Sequence, residues 1–257
     1  MKILLIVILF ISSLFSAKLV EPREVFKASG RVVDIVHKND KLYAATNAGC
    51  VDVFDMKTKE IISKIKIDPI TDFMGDVIES KVYSVDLAGD RILLLSQDKK
   101  GYRRVHIFED NKGELIISYK DKLSIAKAKF IDENNVLFAL LSNELISYDI
   151  KNKKENWTVQ VSGSKFSNFV LSEDKSEVVV ADESGDLKIH STKDGSFIKK
   201  LSEQNLDNVF QVDYKNSIIA TAGQDRRVVI YDLKRSSAYY KSSDFLSIVL
   251  DYHQVEI

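Results

Sequence analysis

Apolar and polar residues alternate along most of the chain in short runs, the period-two signature of strands buried on one face. One run recurs with an aromatic residue and then an acid at its end. It reads Val51-Asp52-Val53-Phe54-Asp55, then Val105-His106-Ile107-Phe108-Glu109, then Leu145-Ile146-Ser147-Tyr148-Asp149. A degraded copy is Leu187-Lys188-Ile189-His190-Ser191, and the last is Val228-Val229-Ile230-Tyr231-Asp232. The closing positions are 55, 109, 149, 191 and 232, at intervals of 54, 40, 42 and 41 residues. Three intervals near 41 indicate an internal repeat of the length of one propeller blade.

Each copy has the same neighbours. Upstream lies a first apolar run, at 32–36, 82–86, 126–130, 166–170 and 209–213, followed by a second at 42–45, 92–95, 136–140, 178–181 and 218–221. A further run follows the aromatic–acid strand at 60–67, 114–119, 157–161 and 196–201. Polar turns such as Lys38-Asn39-Asp40 and Glu133-Asn134-Asn135 separate them. Outside the N-terminal segment there is no amphipathic helical pattern. Four antiparallel strands per unit, with both faces needing cover, predict an all-β fold: a β-propeller of about 40-residue four-stranded blades. A β-sandwich does not account for the regular return of the aromatic–acid strand. Five full blades are expected, and a partial sixth that opens with 246–250 and leaves the propeller short at its C-terminus, as a truncated chain would. Residues 24–28 could lend a closing strand.

The second unit breaks the rhythm. Its lead-in from Asp55 to Val82 takes 27 residues, where the equivalent gaps elsewhere take 16 to 18. Its second-to-third strand loop, 97–104, is also long. Strands alternate in direction, so both insertions should emerge on one face and form a partner-binding surface. Its expected residues are Asp72, Phe73, Met74 and Asp76 from the first insertion and Tyr102, Arg103 and Arg104 from the second. Ordinary loop variation is the alternative, as is a Phe73-Met74 pair tucked under the ring as a plug.

The first 17 residues differ from the rest: Lys2, an unbroken apolar run over 3–11, then small residues up to Ala17. That is a secretory signal peptide, too short for a membrane span, and it leaves 18–257 as the propeller domain. Net charge is −1 for the whole chain, and −2 once Lys2 is removed, so no general field draws it to nucleic acid. The single Cys50 forbids an internal disulfide, and its place at the start of a third strand predicts burial. Export without disulfides suits a periplasmic location.

Catalytic and metal signatures are missing from the sequence. The four histidines, at 37, 106, 190 and 253, lie too far apart for zinc or haem spacing, and His106 and His190 fall in third-strand positions. Asp72 and Asp76 offer too few oxygens for calcium. There is no glycine-rich phosphate loop and no Gly-x-Ser-x-Gly elbow. The expectation is a binding protein with no cofactor and no metal.

The run from Ile218 to Asp232, with Tyr231 in the usual tryptophan position and Asp225 in the turn before the third strand, resembles the second half of a WD40 repeat. No Gly-His dipeptide occurs and no Trp precedes an acid, so the hydrogen-bonded tetrad of that family should be incomplete throughout, leaving blades to rely on apolar packing. The stretch from Tyr148 to Trp157 resembles the repeat of quinoprotein-type propellers, with Trp157 at their docking position. The signal segment, the degenerate repeats, and Asp72-Phe73-Met74-Gly75-Asp76 leading to Val82-Tyr83-Ser84-Val85-Asp86 resemble the NapL family of periplasmic nitrate reductase accessory proteins. These resemblances imply, in turn, a non-catalytic periplasmic scaffold for a protein partner such as nitrate reductase components, or an enzyme with a quinone in the central channel. A scaffold for outer-membrane protein assembly is a further alternative.

Overall fold

The computed structural model describes residues 24–249, apart from 111, 236 and 244. The expected signal segment and the last eight residues lie outside the described residues. Five four-stranded antiparallel sheets stand in a ring as a five-bladed β-propeller. Blade 1 holds β1 (Val32–Lys38), β2 (Lys41–Thr46), β3 (Cys50–Asp55) and β4 (Ile61–Lys66). A short hairpin, β5 (Ile70–Thr71) and β6 (Val77–Ile78), precedes blade 2, which is β7 (Val82–Ala88), β8 (Arg91–Gln97), β9 (Arg103–Glu109) and β10 (Lys112–Ile117). Blade 3 is β11 (Ile125–Phe130), β12 (Asn135–Leu140), β13 (Glu144–Asp149) and β14 (Lys154–Gln160). Blade 4 is β15 (Phe166–Leu171), β16 (Glu177–Asp182), β17 (Leu187–Ser191) and β18 (Phe197–Leu201). Blade 5 is β19 (Val209–Lys215), β20 (Ile218–Gly223), β21 (Val228–Asp232) and β22 (Ser237–Ser242).

The aromatic–acid runs are the third strands, and their aromatic positions pair alike with the second strands: Leu42 with Phe54, Ile92 with Phe108, Val136 with Tyr148, Val178 with His190, Ile219 with Tyr231. The packing between blades is apolar. Phe54, Phe130, Phe138, Phe169 and Tyr231 are among the largest fully buried side chains, and each such burial is worth about 1.5–3 kcal/mol. Cys50 is buried, as its third-strand position predicts.

Every inner strand carries a register shift one residue after its start: between Val32 and Asp34, Val82 and Ser84, Ile125 and Lys127, Phe166 and Asn168, and Val209 and Gln211. A bulge kinks the strand and re-aims the side chains that follow it. The residues just past the five bulges, Asp34, Ser84, Lys127, Asn168 and Gln211, are all polar, and they sit at matching positions along the inner edge of the ring.

Among the described residues there is no sixth four-stranded sheet. Residues 245–249 are not in a strand, and the Val249 N–H donates to the Gly223 carbonyl at the rim of blade 5. At the other end residues 24–31 add no strand either. Phe26 packs edge-on against Phe54, and Ser29 donates from both its backbone and its hydroxyl to the fully buried Asp52.

Interblade polar networks do more than the sequence suggested. In blade 5, Asn205 donates to the Tyr231 hydroxyl and accepts from the Thr221 hydroxyl, while Asp225 accepts from the Leu206 N–H. In this blade a buried Asn–Thr–Tyr network thus adds to the apolar packing on which the blades were expected to rely. Trp157 donates to the Thr192 carbonyl of blade 4 and lies against Gly195, so it does dock one blade on the next.

Candidate functional site

Two regions of the ring offer something to bind: the inserted segments of blade 2 and the central cavity. The first insertion is anchored by apolar burial. Ile67 and Ile70 are buried, and Ser80 is fully buried with its hydroxyl donating to the Gln97 carbonyl. Between those anchors β5 pairs with β6, Thr71 opposite Val77. The turn is keyed by Asp72, whose Oδ1 accepts from the N–H groups of Met74 and Asp76, while its own N–H donates to the Asp76 carbonyl. Asp72 is therefore committed to the turn, in the usual manner of an aspartate closing a loop on its own backbone.

That geometry leaves Phe73 97% exposed, Met74 75% and Val77 74%. The alternative of a plug under the ring is overturned: a two-strand hairpin with its first turn residue hydrogen-bonded inward presents the next two outward. Asp76 is exposed as well.

The second insertion reaches the first. Asp98 is buried, accepting from Lys99 N and Tyr119 N, and it starts a single 3-10 turn over Lys99–Gly101. The chain then returns along β9, where Arg104 donates through Nη2 to the Asp68 carbonyl and through Nε to the Ser96 hydroxyl at 3.3 Å. Burial lowers the Arg104 pKa, partly offset by Asp98 and Asp68. The Arg103 guanidinium stacks 3.9 Å from the centre of the Tyr83 ring, and Lys81 lies 4.7 Å from the same ring. Tyr102 is partly buried, with its N–H closing the turn on Lys99. The two insertions do share a face, as strand alternation requires. Their roles differ: Arg103, Arg104 and Tyr102 brace the platform, while Phe73 and Met74 project from it.

Sequence reasoning raised the second region, the central channel, only as the place of a quinone and named none of its residues. A cavity of about 620 Å³ is lined by the inner strands of all five blades. Its polar lining includes Asp34, Asp86, Lys127, Lys129, Gln211 and Asp213. Lys129 donates to the Val85 carbonyl and lies 3.6 Å from Asp34 and 3.7 Å from Asp86. Lys127 donates to Asn168 Oδ1 at 2.6 Å and to the Phe169 carbonyl at 2.9 Å. Asn168 in turn donates to Gln211 and to the Phe210 carbonyl. Burial first, then the neighbouring Lys129 charge, lowers the Lys127 pKa to about 8, against the opposing pull of Asp34, Asp86 and Asp213. The one available signal was the polar residue at the same place in each first strand, and it becomes readable only once the bulges align the strands.

His106 and His190 lie in third strands. His190 is buried, with Nδ1 2.9 Å from the Gly195 carbonyl and its ring edge-on to Phe197. His106 has its pKa lowered to about 4, chiefly by burial and then by the Arg104 charge.

Compared with protein-family models and with curated proteins, the chain matches none.

Proposed function

We propose that this protein is a non-catalytic, periplasmic propeller scaffold that binds a protein partner through the β5–β6 hairpin, in the service of the periplasmic nitrate reductase system. The observation that carries the reading is the exposed Phe73-Met74-Val77 tip on an anchored hairpin. Exposed aromatic and methionine side chains on a braced platform are the residues that dominate protein interfaces, because they fill a partner's pocket with little conformational entropy to lose. The propeller supports this reading by supplying a rigid ring with a broad rim. The nitrate reductase assignment rests on the sequence resemblance of this same hairpin and the β7 strand behind it.

The test is binding of the full chain to purified periplasmic nitrate reductase, beside a Phe73→Ser/Met74→Ser variant. Both side chains are exposed, so the variant should keep the parent's thermal midpoint. Two interface anchors of about 2 kcal/mol or more predict a loss of affinity beyond about 30-fold. Binding by the parent that the double variant leaves unchanged would remove the hairpin from the interface. No binding by the parent would remove nitrate reductase as the partner.

A further inference from the structure

We infer that the central cavity is a binding site for a small aliphatic carboxylate, with the carboxylate on Lys127 and the hydrocarbon against the exposed wall of β1. The argument starts from which charges in the cavity are already satisfied. Asp34 accepts from the N–H groups of Ile35 and Val85 and faces Lys129. Asp86 accepts from Phe130 N and faces the same lysine. On the β15–β16 turn, Glu173 accepts from Asn216 N and Lys175 donates to the Phe130 carbonyl. On β19, Asp213 accepts from Tyr214 N.

Unlike Lys129, and like Lys175, Lys127 has no carboxylate partner among the described residues. Both of its hydrogen-bond partners, the Asn168 amide oxygen and the Phe169 carbonyl, are neutral. No described carboxylate lies within ion-pair reach of its nitrogen. An ammonium carries three donors, so one N–H remains for a ligand. A partly buried cation held only by neutral dipoles gains from an anion far more than a solvated one does, because the enclosed site screens the attraction less. Burial, and then the neighbouring Lys129 charge, depress its pKa.

The rest of the lining sets the ligand's body. Val32, Val33 and Ile35 line the cavity and are exposed, Ile35 to 48%. Across from them stand Phe169, Val170 and Leu171. β7 packs on β1 and β2, and β19 packs on β15 and β16, while β1 and β19 both line the cavity. That leaves an apolar wall beside two cations without a carboxylate partner, Lys127 on the inner strand and Lys175 on the β15–β16 turn, within the roughly 300–1,000 Å³ typical of small-molecule sites. A cationic ligand would find Asp34 and Asp86 already facing Lys129, and would sit beside the Lys127 ammonium.

The experiment is calorimetric titration of the full chain with octanoate, with octanol and octylammonium as matched probes. Saturable binding of octanoate is expected, at least tenfold tighter than either probe. Lys127→Gln should weaken octanoate at least tenfold and bring it level with octanol. Ile35→Asp, which changes an exposed side chain and so spares the fold, should weaken both octanoate and octanol. Affinity should fall as pH rises through about 8, as Lys127 loses its proton. The groups facing it from each neighbouring strand, Asp34, Asp86, Lys129 and Asp213, are set against this loss by the Lys127→Gln control. The Phe73→Ser/Met74→Ser variant should bind octanoate like the parent, so this inference stands or falls apart from the hairpin. No saturable octanoate binding, equal binding of octylammonium, or octanoate affinity unchanged in both Lys127→Gln and Ile35→Asp would overturn it.

Discussion

Asp182→Ala should be among the most damaging single changes in the propeller. Asp182 ends β16 with its side chain wholly buried. It accepts from Lys188 Nζ at 2.6 Å, from Ser162 Oγ at 2.8 Å and from Asn143 Nδ2 at 3.1 Å, and also from the backbone and hydroxyl of Ser184. The carboxylate therefore ties blade 3, through Asn143 and Ser162, to blade 4. Removing it strands a buried ammonium and leaves donors unpaired, which costs about 3–5 kcal/mol for a broken buried pair. For a chain of this size that is a drop of roughly 6–20 °C in thermal midpoint. The assay is thermal or urea unfolding of parent, Asp182→Ala, Lys188→Met and the double variant. The double variant should recover part of the loss, since no charge is then left alone. Burial alone would raise the Asp182 pKa, but hydrogen bonds from Lys188, Ser184 and Ser162 outweigh it and hold the carboxyl below its ordinary value. A lowered folded pKa means the contribution is complete above the unfolded value and is lost as pH falls through the folded one. The parent should therefore lose stability in that acid range more steeply than Asp182→Ala does. A loss under about 1 kcal/mol, or strict additivity in the cycle, would refute the buried-network argument.

Three further outcomes follow from the same packing. Gly195→Ala should destabilise the fold by about 1–3 kcal/mol in urea unfolding, because Gly195 has φ +73° and a Cβ there would sit 2.7 Å from Trp157 Cε3. Tyr231→Phe should cost about 1 kcal/mol by losing the bond from Asn205, and Asn205→Ala should add about 1 kcal/mol more by losing the bond from Thr221. His106, with its pKa near 4 in the folded state against 6.5 for the ordinary side chain, binds a proton more readily when unfolded, so stability should fall as pH drops between those values. His106→Phe should flatten that limb, and the His106 ring signals in an NMR titration should show no midpoint near 6.5.

The inserted hairpin was half legible in the sequence. The extra residues before Val82 and the Phe73-Met74 pair were visible as a departure from the repeat. The direction those side chains take was not, because it depends on Asp72 bonding to Met74 N and Asp76 N and so turning the next residues outward. Arg103 and Arg104 read as a basic cluster free to meet a partner, whereas the fold spends them on Tyr83 and the Asp68 carbonyl. The fourth strand of blade 5, β22, escaped notice because the Ser-rich and Lys-containing stretch around it shows little alternation; an outermost strand buries only part of one face and needs less.

The blades themselves were determined by the sequence. Period-two alternation and the returning aromatic–acid strand are local properties, since each strand must bury alternate side chains wherever its blade stands in the ring. What the tertiary structure decided is the meeting of residues 41 to 51 positions apart: Lys127 with Asn168, Asn168 with Gln211, Asp34 with Val85. Those pairs depend on the bulge in each inner strand and on the angle between neighbouring blades. Neither is encoded in the alternation of a single strand, because both follow from how whole sheets pack face to face around a common axis.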